Sequence, residues 1–182
     1  MKFNEHISRM SKKISRSVGI IYRLRGYLLK SNLIQLYHSL VYPYLTYCNV
    51  SWGHTYSVHL QSLYVLQKRC VRLINGAHFL SPSNPLFMES RLLKLEDINK
   101  LQLGRYIFKN PDIVQEFQRF HAYYTCNNIS LKPNFQRLTL TQQSVNYRAP
   151  KTWNDIPLHI RNSPSISSFK RNFTTYLIRS YI

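Results

Sequence analysis

Carboxylates are the scarcest chemistry in this chain: seven Asp and Glu stand against 25 Lys and Arg, and none falls between Glu5 and Glu89. Two-metal phosphoryl transfer needs paired carboxylates that hold ions about 4 Å apart. The one adjacent acidic pair, Glu96-Asp97, stands where a helix is expected to begin, and acids there already serve the helix electrostatically. No catalytic residue is expected, and the chain reads as a non-enzyme. Glycine is scarce too, with five in 182 residues, and none sits in a phosphate-cradling loop of either nucleotide-binding type. No H-E-x-x-H occurs in the sequence. Cys48, His54, His59, Cys70 and His78 match no finger or knuckle spacing. Ser167-x-x-Lys170 lacks the companion motifs that would make it a nucleophile site. The expectation is no metal, no cofactor and no small-molecule substrate.

Three cysteines, Cys48, Cys70 and Cys126, are odd in number and irregular in spacing, and no secretory signal is evident. They are read as reduced thiols of a nuclear or cytoplasmic protein that is not secreted. The N-x-S/T matches at Asn49, Asn128 and Asn172 then carry no glycan. Long apolar runs are missing as well. Ser31 to Gln67 has no formal charge, but Pro43, Asn49, Ser51, Gly53, His54 and Ser57 interrupt it. Those residues are costly in lipid, so no membrane partner is expected and a buried helical hairpin fits better. Internal repeats and low-complexity tracts are also missing.

What the chain does have is apolar bulk and positive charge. With 44% hydrophobic and 14% aromatic residues it can bury a core. The formal net charge is +18. Self-repulsion of that size opposes compactness, and a polyanion partner offsets it. Residues 1–76 hold eleven cations and one acid, against fourteen and six in the remainder. RNA, DNA or RNA–DNA hybrid backbone is the expected partner.

Periodicity places most of the chain on helices. Phe3, Ile7, Met10, Ile14, Val18, Ile21 and Leu28 recur at three- and four-residue steps, which predicts an amphipathic helix over 3–28. Ser31 or Asn32 should cap a second helix carrying Leu33, Leu36, Tyr37, Leu40 and Val41, ended or bent by Pro43. A short helix is expected from Tyr44 to Trp52, and a long one from Val58 to Ile74, with Leu60, Leu63, Leu66, Cys70 and Leu73 inward and Asn75-Gly76 closing it. Ser81 to Pro85 is the expected boundary between two domains, 1–80 and 81–182. Beyond it, helical pieces are expected over 86–95 and 96–109, then from Pro111 with Ile113, Val114, Phe117 and Phe120 buried. The periodicity fades over 121–157, where Leu138-Thr139-Leu140 alternates like a strand that Ser144 to Tyr147 would pair with. A last helix, about 165–181, turns Ile166, Phe169, Phe173, Tyr176 and Leu177 inward. The expected fold class is mainly α, a helical bundle with a small irregular or β segment before a C-terminal helix.

Arg9, Lys12, Lys13, Arg16 and Arg23 project from the side of the first helix opposite its apolar stripe, with no interleaved Glu to pair them. Lys68, Arg69 and Arg72 cluster in the last turns of the long helix, where cations also suit the helix C-terminus. These eight are the candidate nucleic-acid-binding residues. Trp52 and Trp153 are either base-stacking platforms or core residues, and their apolar surroundings favour the core.

Several spaced patterns run through the chain. The first is His6-x7-Ile14-x4-Gly19-Ile20. The second is Leu36-Tyr37-x-Ser39-Leu40-Val41-x-Pro43-Tyr44-Leu45-x-Tyr47-Cys48-x3-Trp52-Gly53, and the third is Leu63-x2-Leu66-Gln67-Lys68-Arg69-x2-Arg72-x-Ile74. Pro85-Leu86-Phe87, Leu95-x-Asp97-Ile98, Trp153-Asn154-x-Ile156-Pro157 and Phe169-Lys170 follow in order. Together they resemble the region after the catalytic palm in reverse transcriptases of jockey-like and related LINE-type non-LTR retrotransposons, over nearly the whole chain. The resemblance implies a thumb and the segment behind it, which grip primer–template, derived from an RNA-directed DNA polymerase whose palm and fingers lie upstream. That missing palm or fingers domain is a second expected partner. Two positions depart from the pattern: Ala149 stands where glycine often precedes Trp-Asn, and Thr125-Cys126 where Thr-Arg is usual. The competing expectations are a subunit piece that needs the palm in order to fold, a truncated element copy without function, and a basic protein of membrane surfaces.

Overall fold

A computed structural model describes residues 3–112, 131, 135–139 and 141–181. Among them are ten α-helices and one 3-10 turn, and no strand. The chain is mainly helical, as its periodicity predicts. It forms two compact units, Met1–Ile98 with Leu177–Ile182, and Asn99–Tyr176. The expected boundary at residue 81 falls inside the first unit. There Arg72 donates from Nε to the Ser81 carbonyl at 2.9 Å, and the Asn75 amide donates to the Ser90 hydroxyl at 2.8 Å, so the segment is tied to the preceding helix on both sides.

In the first unit, α1 spans Asn4–Leu24 and buries Ile7, Met10, Ile14, Val18 and Ile21, the stripe read from the sequence. It stops short of the expected residue 28, and the chain turns over Arg25–Leu28. Helix α2, Lys30–Leu40, starts from an extended Leu29 with no side-chain cap, so Ser31 and Asn32 lie within its first turn rather than capping it. Pro43 stands in the first turn of α3, Tyr42–Thr46, where its missing N–H leaves no helical bond unmade. The single helix expected to Trp52 is instead split. Cys48 adopts a left-handed backbone (φ 48°) before α4, Asn49–Trp52. The indole of Trp52 is buried and donates to the Tyr47 carbonyl at 2.7 Å.

Helix α5 spans Ser57–Ile74 and ends as expected at Gly76, whose φ of +61° suits glycine. The Ala77 N–H bonds the Arg72 carbonyl and the Gly76 N–H the Leu73 carbonyl, a Schellman cap. Helix α6, Ser83–Glu89, sits earlier than the piece expected over 86–95, and Leu92 and Leu93 are buried beyond its end. It closes on the same cap, with Leu92 N–H to Phe87 and Arg91 N–H to Met88, but Arg91 holds the left-handed position (φ 52°). Glycine there avoids the Cβ clash of that conformation. Arg91→Gly is therefore expected to stabilise the protein by about 1 kcal/mol, read as a higher urea midpoint at unchanged slope. A lower midpoint would show that the arginine side chain contributes more than the backbone strain costs.

Helix α7, Leu95–Lys109, begins with Glu96 and Asp97 in its first turn and continues into the second unit. Asp97 is buried and accepts from the Tyr181 hydroxyl at 2.7 Å, while that same oxygen accepts from the Lys94 N–H at 3.0 Å. Burial, with the Asp97 charge close by, raises the Tyr181 pKa, so the phenol stays protonated and donating. The C-terminal residues are held to the first unit in this way.

The second unit comprises the rest of α7, α8 (Val145–Asn154), α9 (Leu158–Arg161) and most of α10 (Ile166–Arg179). Phe169 and Trp153 stack at 6.0 Å, and Phe108 meets Phe169 at 4.8 Å. Gly104 lies against this cluster, and a Cβ there would sit 3.1 Å from Ile156 Cδ1 and from Phe169 Cζ. Asn154 pairs through both ends of its amide with the Leu131 backbone, at 2.9 and 2.8 Å, as a neighbouring strand would. The strand expected over 144–147 is not formed, because Val145–Tyr147 belong to α8, and Leu138 and Thr139 form a bend and turn. Pro150 lies inside α8, where a proline removes a bond to the preceding turn. Ala149, Pro150 and Trp153 are all buried at helical spacing, and that burial prevails. Leu140, Cys126 and the helix expected from Pro111, with Ile113, Val114, Phe117 and Phe120, lie outside the described residues past Asp112.

Candidate nucleic-acid interface

Arg9, Lys12, Lys13, Arg16 and Arg23 are all exposed on α1. At ~100° per residue they fall within an arc of about 100°, away from the buried stripe. On α5, Lys68, Arg69 and Arg72 project opposite Leu63, Gln67, Cys70, Val71 and Ile74. The two helices pack together and advance in the same direction. The His6 ring lies 6.2 Å from Trp52, just before α5 begins, and Ser11 Oγ lies 3.1 Å from Ser62 Oγ. With a rise of about 1.5 Å per residue in both helices, Lys68 and Arg69 come level with the turn of α1 between Arg16 and Arg23. Rotating outward from the serine pair, α1 presents Lys12, Arg23 and Arg16, and α5 presents Arg69. These four border one seam, whereas Lys68 projects about 120° from Ser62 and Lys13 about 160° from Ser11, over Tyr64 and Tyr44 and away from it.

The eight cations are not equivalent. Arg9 lies 3.7 Å from Glu5 one turn earlier. Lys13 Nζ lies 5.6 Å from the centre of the Tyr44 ring and Lys68 Nζ 4.0 Å from that of Tyr64. Arg72 has one donor committed to the Ser81 carbonyl, which makes it partly a structural residue. Among the described residues, no carboxylate lies within ion-pair distance of Lys12, Lys13, Arg16, Arg23, Lys68 or Arg69. Lys12, Arg16, Arg23 and Arg69 are exposed with no carboxylate to displace, whereas Lys13 and the half-buried Lys68 lie over tyrosine rings.

Beneath this face the scaffold is tightly buried. Gln67 is fully buried, donates to the Tyr37 hydroxyl at 2.8 Å and the Leu93 carbonyl at 2.9 Å, and accepts from the Leu95 N–H at 2.9 Å. Burial raises the Tyr37 pKa despite the hydrogen bond from Gln67. Burial alone pushes the Cys70 thiol up to about 12, so it is a core residue and an inert one. Cys48 is exposed, and among the described residues no three His, Cys, Asp or Glu side chains come together as metal ligands. A cleft of about 70 Å³ opens between the first turns of α5 and α7, lined by Gly53, Ser57, Leu60, Gln61, Tyr64, Leu95 and Glu96. Small-molecule sites run to several hundred Å³.

Both tryptophans are core residues, 1% and 9% exposed for Trp52 and Trp153, and neither offers a face for stacking. The exposed aromatics among the described residues are elsewhere, and include Tyr22, Tyr27, Tyr47, Tyr56, Phe79 and Phe135. Sequence reasoning passed over Tyr27 and Phe79 because both sit in turns, outside any periodic pattern. Among the described residues, no helix is long and apolar enough to cross a membrane.

Fold and face together define a mainly helical chain with one strongly cationic, acid-poor surface. No family model, curated protein or solved structure matches this chain.

Proposed function

We propose that this chain binds the phosphate backbone of RNA, DNA or a hybrid through the exposed cations of α1 and α5, without chemistry of its own. We propose further that it corresponds to the thumb and following segment of a non-LTR retrotransposon reverse transcriptase. The observation that carries the binding proposal is the exposed, carboxylate-free set Lys12, Lys13, Arg16 and Arg23, mounted on a helix whose other side is buried. Phosphates that meet such a face release condensed counterions, which supplies affinity without reading sequence. The resemblance rests mainly on other residues. Tyr37, Leu45, Trp52, Leu63 and Gln67 are all buried in the first unit, so they support a shared scaffold rather than shared cations.

The test is a salt titration of the purified chain against RNA, DNA and hybrid duplexes. If six phosphates are engaged, log affinity falls against log salt with a slope of about −5, with little dependence on base sequence. Affinity indifferent to salt overturns the proposal.

A further inference from the structure

We infer that the end of the first unit where α1 and α5 finish is a stacking site for the unpaired bases of single-stranded nucleic acid. This rests on the backbone-binding proposal above and deepens it. The α1–α2 turn and the α5–α6 loop lie at the same end. Lys30, the first residue of α2, pairs with Glu89 at the end of α6, and the adjacent Ser90 exchanges hydrogen bonds with Asn75 at the end of α5. Tyr27 is 88% exposed in the first connection and Phe79 71% exposed in the second. Rings left this open in water have no packing role.

The surroundings of these rings select the ligand. The Arg25 guanidinium lies 4.5 Å from the centre of the Tyr22 ring, and the His78 ring lies 4.5 Å from that of Phe79. The His78 ring is tilted 46° against Phe79 rather than stacked on it, and the Tyr27 and Phe79 rings, 88% and 71% exposed, are left for a base to stack on beside that positive charge. Arg23, Arg25 and Arg91 supply positive charge at this end, and Glu89, the one acid in sequence between Glu5 and Glu96, is paired with Lys30. The Ser81 carbonyl bond to Arg72 pins the Phe79 loop to α5, so its ring is presented with little ordering to be done. A lipid surface would instead call for an amphipathic helix with a continuous apolar side, whereas these are two short connections. Aromatic rings flanked by cations bind single strands with little preference for sequence.

The experiment compares the full chain with Tyr27→Ala/Phe79→Ala, and with the ring-preserving Tyr27→Phe/Phe79→Tyr. Fluorescence anisotropy is read on an oligothymidylate and on a DNA duplex of equal length, at fixed salt. The alanine variant is expected to lose roughly 10- to 100-fold on the single strand and under about twofold on the duplex, with the salt slope kept. The ring-preserving variant should bind like the parent. Both positions are exposed, and a thermal melt of each variant confirms that the fold is intact. Equal losses on both ligands, or none on the single strand, overturn the inference while leaving backbone binding in place. Loss of binding to anionic vesicles with oligothymidylate binding unchanged overturns it in favour of a lipid surface. A parent chain that binds neither oligonucleotide overturns both proposals together.

Discussion

Replacing Lys12, Lys13, Arg16 and Arg23 with glutamine is expected to weaken nucleic-acid binding roughly 4,000-fold near 0.1 M salt. Each neutralised phosphate contributes about 0.9 to the slope of log affinity against log salt. At 0.1 M, one decade below the molar reference, each lost contact then costs about 0.9 decades, and four cost more than three. The slope itself should shrink by about 3.6, a second readout that a folding defect would not produce. Arg9→Gln should do less, since Glu5 already lies 3.7 Å from that guanidinium. Stability should hold or improve, because like charges within one arc of a helix repel. A quadruple variant that binds as tightly as the parent would remove α1 from the interface altogether.

Gln67→Ala carries the largest expected effect on folding. The side chain is fully buried and makes three hydrogen bonds that join α2, α5 and the start of α7. Truncation strands the Leu95 N–H, the Leu93 carbonyl and the Tyr37 hydroxyl in a buried interior and opens a cavity besides. Stranded groups cost about 1–3 kcal/mol each, and with partial relaxation the total should reach about 4 kcal/mol, a large share of an ordinary domain's stability. Tyr37→Phe should cost only about 1 kcal/mol, because Gln67 keeps the Leu93 and Leu95 bonds. Urea unfolding followed by circular dichroism gives both values. If the two substitutions prove equal, the amide bonds to Leu93 and Leu95 contribute nothing measurable.

The apolar stripe of α1 was legible because a helix face is set by local spacing, and Ile7, Met10, Ile14, Val18 and Ile21 are buried as that spacing requires. The same rule misjudged α5. It turned Leu60, Leu66 and Leu73 inward, yet Gln67, Val71 and Ile74 are more deeply buried than those leucines. Polarity argued for placing Gln67 outside, and only the Tyr37, Leu93 and Leu95 groups, distant in sequence, make its burial favourable. The strand expected at Ser144–Tyr147 failed for a related reason. Alternation over four residues is weak, and the packing of Trp153 against Phe169 draws the segment into a helix.

By itself the sequence determined the helical class, the one-sided charge of α1 and the absence of acids from Glu5 to Glu89. Each is set by residue type and local spacing, and none of the three changes when distant segments meet. The tertiary structure alone decided which cations remain open to a phosphate, that Arg72 is partly committed to Ser81, and that both tryptophans are core. It also decided that Tyr27 and Phe79 share one end of a unit through the Lys30–Glu89 and Asn75–Ser90 contacts. Partners of polar and aromatic groups come from elsewhere in the chain, and folding is what brings them within reach.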